Sequence, residues 1–373
     1  MTPELIAKRT STLHDFPYEG PRRKCFHPWI INIAPPGRAH CVHACSFCYA
    51  RDAIYSDLGD TPRVYDNLPE LVERDLKRLT LVPPVLLSTT TDPCQDVPEV
   101  KQQVRRLVGL LMEYGVAFGI ITKGDPSFLG ELPGFWAYEP KYLSVSIEGT
   151  AEVLQILSPH APTHEQRIAA VRTAATNGAR VAARLDPYFM HVFQGLYGEA
   201  WWPRTEGLLD EFASAGAQHV TASTGRLDNR RATGATVSMR ERLLGLVRAH
   251  AGTEAAEAMA RDYVYGWSGT CRGHVLREEL RVELHGRLRE ACRARGMTYA
   301  SCQELTAELS DSPGLPHCGG FVIPFSRKKT DGRFEPVPGC TANCHRACAG
   351  NATPPCGRPE LAQARPYRVG RLR

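Results

Sequence analysis

Short apolar runs alternate with segments of helical periodicity over the first two thirds of the chain. The apolar runs predict strands at 29–34, 85–89, 116–122, 142–147, 180–185 and 219–223. Between them, apolar residues recur every three or four positions and predict helices at 67–79, 97–114, 163–177 and 207–215. Strands alternating with helices indicate βα units around a parallel sheet. Six such units predict an α/β fold, a partial (β/α)6 barrel, with functional groups at the carboxyl ends of the strands.

The rest of the chain has a different pattern. Helical periodicity continues at 238–250, 254–264 and 276–295, whereas the sequence after residue 301 is rich in glycine, proline and cysteine. Such a segment cannot form a core by apolar burial alone, and a bound metal would supply the missing stability. We predict four parts: an N-terminal segment (1–28), the barrel (29–235), a helical extension (236–300) and a loop-rich, metal-stabilised extension (301–373).

Composition places the chain among globular metalloproteins. Hydrophobic residues make up 43% of the 373 residues, which is enough for a substantial core, and the net charge of +5 is mild. No apolar run approaches the ~18 residues of a membrane span. The first 16 residues lack the apolar core of a signal peptide, so thirteen cysteines favour metal ligation over disulfides. We expect a cytoplasmic protein without a membrane partner.

The run Cys-Val-His-Ala-Cys-Ser-Phe-Cys-Tyr contains Cys41, Cys45 and Cys48. Three thiolates from one loop give an iron–sulfur cluster one ligand fewer than the four of a closed site. A structural zinc site or a disulfide is the alternative, but zinc ligands are usually paired as Cys-x2-Cys. The Cys-x3-Cys-x2-Cys spacing, with Phe47 before the third cysteine, resembles the cluster loop of radical S-adenosylmethionine (SAM) enzymes. Phe47 and Tyr49 would cover the adenine or the cluster, or simply pack beside the loop.

Four predicted strands end on polar residues in a particular order. The sequences are Ser-Thr-Thr-Thr-Asp-Pro at 88–93, Ile-Thr-Lys-Gly-Asp at 121–125, Ser-Val-Ser-Ile-Glu-Gly at 144–149 and Arg-Leu-Asp-Pro at 184–187. Each one alone could be an ordinary capped loop. Together, downstream of the cysteine loop, they resemble the spore photoproduct lyase-like branch of the radical SAM superfamily. The likeness extends from residue 25 to about residue 300.

This resemblance implies a [4Fe-4S] cluster whose open iron binds SAM, and an electron that cleaves SAM to a 5'-deoxyadenosyl radical, which abstracts hydrogen. It implies that Lys123 pairs with the SAM carboxylate, and that Thr90 and Ser146 hydrogen-bond its amino acid or ribose. Asp92 and Arg184 would lie in the same ring of strand ends. Charge-assisted hydrogen bonds of this kind are the stronger ones, so the roles make physical sense.

One departure from that branch concerns hydrogen donation to the product. In the lyases, a cysteine three residues before the aspartate of the second-strand segment donates a hydrogen atom, and here Thr89 stands at that position. A threonine O–H bond is too strong for this step, which argues against thymine-dimer repair by that route. Cys94 could substitute only if its loop turned it into the cavity.

A second group of cysteines lies near the C-terminus. Its six members are Cys302, Cys318, Cys340, Cys344, Cys348 and Cys356. An auxiliary [4Fe-4S] cluster and a structural zinc compete for them, and His345 keeps zinc open. In a radical SAM setting we favour a second cluster. The predicted ligands are Cys318, Cys340, Cys344 and Cys348, with Cys302 and Cys356 in reserve.

The leading hypothesis is therefore a radical SAM enzyme of biosynthesis that abstracts hydrogen from a small organic substrate, such as a nucleoside or sugar. Its electron donor would be a protein such as flavodoxin or ferredoxin. A lyase-like enzyme that repairs DNA photolesions is the alternative, although no concentrated basic stripe supports a nucleic-acid partner. A non-catalytic cluster or zinc module is a third reading. Candidate substrate contacts are Glu148, Asp186, Tyr188, His191, Arg226 and residues 263–267.

Overall fold

The structure is a computed structural model, and it describes residues 2–10, 12–15, 29–53, 55–229, 231, 236–268, 271–313, 315, 318–340, 353–354 and 357. The strands are β1 (Glu4–Ile6), β2 (His14–Asp15), β3 (Trp29–Ile31), β4 (Arg63–Tyr65), β5 (Leu81–Val82), β6 (Val85–Leu87), β7 (Phe118–Thr122), β8 (Lys141–Ser146), β9 (Val181–Leu185), β10 (His219–Ala222), β11 (Arg226–Leu227), β12 (Tyr263–Ser268), β13 (Cys271–Leu276), β14 (Thr298–Ser301), β15 (Ser326–Lys328) and β16 (Phe334–Pro336). The α-helices are α1 (Leu68–Arg78), α2 (Pro98–Tyr114), α3 (Ala151–Leu157), α4 (His164–Thr176), α5 (Met190–Tyr197), α6 (Trp201–Ser214), α7 (Met239–Ala251), α8 (Thr253–Asp262), α9 (Glu278–Ala294) and α10 (Ala307–Ser310).

The main sheet has the strand order β14-β10-β9-β8-β7-β6-β3-β2. Its strands pair in parallel from β3 to β14, and only β2 at the edge is antiparallel. The six predicted strands are all present, so the prediction of an α/β partial barrel is confirmed. Strand β14 adds a seventh parallel strand, which the apolar pattern did not predict. Parallel alignment brings the carboxyl ends of β6 to β10 to one edge of the barrel.

The predicted helices form with ends within two residues of expectation, except that α6 begins at Trp201 rather than at residue 207. A tertiary contact stabilises the additional first turns of α6: the Arg287 guanidinium of α9 lies over the rings of Trp201 and Trp202, at 5.2 and 3.9 Å from their centres. Helix α4 begins where predicted because Thr163 and Gln166 form a reciprocal capping box.

Two further features escaped the sequence pattern. Strands β12 and β13 form an antiparallel hairpin between α8 and α9, and β11 extends it to three strands. Strand β15 pairs with β16 and with β5, which attaches the described part of the C-terminal segment to the barrel. Phe325, Phe334 and Val337 of this part are buried in the main core. In the described part of the chain, every helix is too short or too polar to cross a bilayer.

Candidate active site

The loop that carries Cys41, Cys45 and Cys48 follows β3 at the carboxyl edge of the sheet. All three are free thiols; Cys45 is buried and the other two are partly buried. Burial raises the pKa of Cys41 to about 12 and raises the pKa of Cys45 as well. Ionisation of Cys41 or Cys48 would further raise the pKa of Cys45, so the three side chains lie within electrostatic reach of one another. Without a metal these groups are thiols, and a soft cation is what would make them thiolates.

Hydrogen bonds to neighbouring segments fix the shape of this loop. The Gln95 side chain accepts from the backbone N–H of Val42 at 2.7 Å, and its amide donates to the carbonyl of His40 at 3.3 Å. At the other end, the backbone N–H and the hydroxyl of Ser46 both donate to the Leu157 carbonyl, at 2.9 and 3.0 Å. The loop is therefore preorganised by neighbours from the loop after β6 and from the end of α3.

Helix α7 adds a clamp from the helical extension. Arg242 donates through Nε to the Ser46 carbonyl at 3.1 Å, and its Nη2 pairs with Asp52 Oδ2 at 2.5 Å. Among the residues that the structure describes, no three His, Cys, Asp or Glu side chains surround a single ion position.

Asp92, after β6, links the cysteine loop to the end of β7. Its side chain is 8% exposed and accepts hydrogen bonds from the backbone N–H of Cys94 and Lys123 and from the Thr122 hydroxyl. His43 Nδ1 lies 3.4 Å from Asp92 Oδ2, the oxygen that also accepts from the Lys123 N–H. Burial opposes ionisation, but His43 and the hydrogen bonds outweigh it and hold the Asp92 pKa far below its usual value. Asp92 thus lies in the predicted ring, with both oxygens engaged by the protein.

We expect Asp92→Asn to lower the free energy of unfolding at neutral pH by about 2–3 kcal/mol, because the new amide presents N–H groups to neighbours that also donate. Ionised Asp92 stabilises the fold above its unfolded pKa of about 3.9, and this contribution is lost as the pH falls below that value. Urea unfolding should therefore show a smaller difference between wild type and variant at about pH 3.5 than at neutral pH.

The matched control for this prediction is Asp96→Asn. Asp96 is exposed and pairs with Lys101, so its replacement should change stability by no more than about 0.5 kcal/mol. Equal stabilities of wild type and Asp92→Asn at neutral pH, or a difference that grows in acid, would show that Asp92 does not have this role.

Lys123 lies directly after β7, beside the cysteine loop. Its Nζ is 2.6 Å from Glu148 Oε1 and 5.3 Å from the centre of the Phe47 ring. Burial disfavours its charge, but Glu148 and Cys45 outweigh this and raise the pKa of Lys123 above its usual value. The predicted carboxylate-binding cation is therefore charged, anchored and next to the candidate cluster.

The other predicted strand-end residues lie around the same edge. Ser146 ends β8 in register with Arg184 of β9, and it is buried. Among the residues that the structure describes, none forms a hydrogen bond with the buried hydroxyl of Thr90. Arg184 is already engaged, because its Nη2 pairs with Asp186 and donates to Cys302 Sγ at 3.1 Å.

The aromatic residues of the loop differ from each other. Phe47 packs edge-on against Phe189 at 6.3 Å between ring centres, whereas Tyr49 is 45% exposed and donates its hydroxyl to the Thr89 carbonyl at 2.7 Å. Cys94 is buried in the main core and does not line the open edge. Thr89 has no thiol and the thiol of Cys94 is buried, so neither residue offers an exposed thiol at this part of the site.

The described C-terminal cysteines lie in two places. Cys302 follows β14, and both Cys302 and Cys318 act electrostatically on Arg184. The Cys318 carbonyl also accepts from His219 and from another β10 side chain, at 2.8 Å each. Cys340 lies in the main core, where its sulfur accepts from the backbone N–H of Phe325 at 3.4 Å. Cys344, Cys348 and Cys356 lie outside the described residues.

Sequence reasoning did not identify Gln95, Arg167 or Arg242, which hold the site together. Arg167 had a detectable signal, because it lies on the buried side of α4 with Ala170, Val171 and Ala174. A charged residue at an apolar position of a helix indicates a buried partner. Gln95 and Arg242 have no such signal, since their partners are far away in sequence.

No protein-family model matches this chain, and no curated protein matches it. Several solved structures share its fold. A cysteine-to-alanine mutant of spore photoproduct lyase with dinucleoside spore photoproduct has a TM-score of 0.54 at 14% identity. A double mutant with bound AdoMet and the same dinucleoside has 0.54 at 16%, and the lyase complexed with the dinucleoside has 0.52 at 16%. Each match covers 79% of this chain and 80% of the other. This likeness shows a common fold.

Proposed function

We propose that this chain is a radical SAM enzyme. The observation that carries the proposal is the grouping of the free thiols Cys41, Cys45 and Cys48 at the carboxyl edge of the barrel, beside the charged Lys123. A structure with the same fold holds AdoMet. A bound and reduced [4Fe-4S] cluster would supply the electron that cleaves SAM to methionine and a 5'-deoxyadenosyl radical, and the protein would position the reactants.

The residues present fit both groups. Three cysteine thiols can supply the soft thiolate ligands that an iron–sulfur cluster requires. The loop that carries them is held in place by Gln95 and Arg242. Lys123 would bind the SAM carboxylate, while Thr90 offers a buried hydroxyl that has no hydrogen-bond partner in the described part of the chain. Ser146, Phe47 and Tyr49 would contact the ribose or adenine. Asp92 would act indirectly, by holding the Lys123 backbone.

The proposed substrate is a small organic molecule, such as a nucleoside or a sugar. Repair of a DNA photolesion is a second candidate with comparable support, because two spore photoproduct lyase structures that share this fold hold dinucleoside spore photoproduct, and the match covers 80% of each of those chains. Thr89 argues against the lyase chemistry, since the site lacks a thiol there. Loss of thymine photoproduct from irradiated DNA, in the presence of SAM and reductant, would establish the second candidate.

We also propose an auxiliary cluster held by the C-terminal cysteines. Its support is the density of cysteines after residue 301 and the position of Cys302 and Cys318 near Arg184 at the same edge as the first site. Free thiols and low-potential clusters suit a reducing compartment, so we place the protein in the cytoplasm. Reduced flavodoxin or ferredoxin would be the electron donor there.

Reductive cleavage of SAM tests this function. Anaerobically reconstituted protein, reduced with dithionite, should convert SAM to 5'-deoxyadenosine and methionine, and omitting dithionite should stop the conversion. Chromatography of the nucleoside product is the measurement. A cluster-loaded and reduced protein that leaves SAM intact would instead favour a non-catalytic cluster module.

A further inference from the structure

Glu148 lies between two cations beneath the candidate SAM site. It is fully buried, with Oε1 2.6 Å from Lys123 Nζ and Oε2 2.6 Å from Arg167 Nη1. Burial opposes its ionisation, but Lys123 and Arg167 outweigh this and lower the pKa of Glu148. Two cations and one carboxylate leave one positive charge on the group.

Arg167 is not available to a ligand. Its side chain has no exposed surface, and besides Glu148 it donates to the Pro162 carbonyl at 2.8 Å, the Ser146 carbonyl at 3.1 Å and the Ser158 hydroxyl at 2.9 Å. A guanidinium has a fixed fork of donors, so these bonds point it inward.

Lys123 is the cation that remains for a ligand. Its side chain is 16% exposed and adjoins both the Phe47 ring and Cys45, and an ammonium has three donors. If Glu148 had only Lys123 as a partner, the pair would be neutral and would attract a ligand carboxylate weakly. Arg167 changes that balance, because it neutralises Glu148 from the other side.

We propose that Arg167 is a positioning residue that neutralises Glu148, so that Glu148 holds Lys123 in place without cancelling the charge with which Lys123 binds the SAM carboxylate. This inference rests on the proposed function. Arg167 lies outside the Ile-Thr-Lys segment that contains Lys123. The inference predicts that the affinity for SAM depends on the net charge of Lys123, Glu148 and Arg167 together rather than on any single contact.

The test compares SAM with decarboxylated SAM, which keeps the adenosine, the sulfonium and the amino group. Equilibrium dialysis against unreduced, cluster-loaded protein gives the dissociation constant of each, and their ratio is the carboxylate preference. Arg167→Gln makes the group neutral and should reduce this preference about tenfold. The double variant Arg167→Gln with Glu148→Gln restores one positive charge and should return the preference to within about threefold of wild type.

The ratio cancels general damage to the site, because both ligands need the same pocket. A double variant with a preference as low as that of Arg167→Gln alone would overturn the inference. If Arg167→Gln does not fold, Arg167→Lys keeps the charge with fewer hydrogen bonds, and it must hold the preference within about threefold of wild type. A lost preference in Arg167→Lys would likewise overturn it.

The wild type separates this inference from the proposed function. If the wild type binds neither compound, the proposed function fails. If it binds SAM and prefers it to the decarboxylated compound, but the variants do not follow net charge, only the role of Arg167 is wrong.

Discussion

Cys45→Ala should reduce conversion of SAM to 5'-deoxyadenosine to less than about one thousandth of the wild-type rate, because the chemistry would belong to the cluster for which we propose this thiol as a ligand. Cys45 is the most buried of the three thiols and the one on which Lys123 acts most directly. Alanine cannot ligate iron. In the described structure, the main-core thiol Cys94 is buried away from the open edge and cannot replace it.

Iron content should fall together with activity. Loss of the first cluster removes about four iron atoms per chain, which a colorimetric iron assay on anaerobically reconstituted protein measures. Cys292→Ala is the matched control, because Cys292 is a buried thiol of α9 and should lose neither iron nor activity. Retained SAM cleavage in Cys45→Ala would remove Cys45 from the ligand set.

Wild-type protein reconstituted without oxygen should contain about eight iron atoms per chain, the content of two [4Fe-4S] clusters. Cys318→Ser should lower this to about four, because Cys318 is one of the predicted ligands of the second cluster. The first site should keep its iron, since its cysteines come from a separate loop after β3. Iron analysis and the visible absorption of the same sample give both numbers.

Two further variants identify the ligands. Cys340 has an amide donor on its sulfur, as many cluster thiolates have, so Cys340→Ser should resemble Cys318→Ser. Cys302→Ser should retain about eight irons if Cys302 is a reserve thiol. About four iron atoms with one zinc in the wild type would contradict the second cluster while leaving the first intact.

The parts of the fold that follow from local pattern were predictable. Apolar runs located β3 and β6 to β10, and helical periodicity from residue 163 located α4, whose start is fixed in the structure by the capping box of Thr163 and Gln166. Strand β14 was not predictable, because its sequence Thr-Tyr-Ala-Ser mixes polar and apolar residues and forms no apolar run. The hairpin of β12 and β13 was not predicted either. Helical periodicity covers the sequence up to residue 264 and again from residue 276, and this overlaps both ends of the hairpin.

The candidate site likewise has residues that local motifs predict and residues that they do not. The cysteine spacing and the Ile-Thr-Lys segment predicted that Cys41, Cys45, Cys48 and Lys123 belong to one site, and in the structure the other three lie within electrostatic reach of Cys45. What supports them depends on distant contacts. Arg242 is 190 residues from its partner Asp52, and no local pattern encodes such a pairing.

The most direct test of the central claim is electron paramagnetic resonance of the anaerobically reduced protein, recorded with and without SAM. We expect a reduced [4Fe-4S] signal that changes when SAM is added, because SAM binds the iron that lacks a cysteine ligand. The part of the signal that changes with SAM should be absent when Cys41, Cys45 and Cys48 are all replaced by alanine. A cluster signal that is identical with and without SAM would contradict the account.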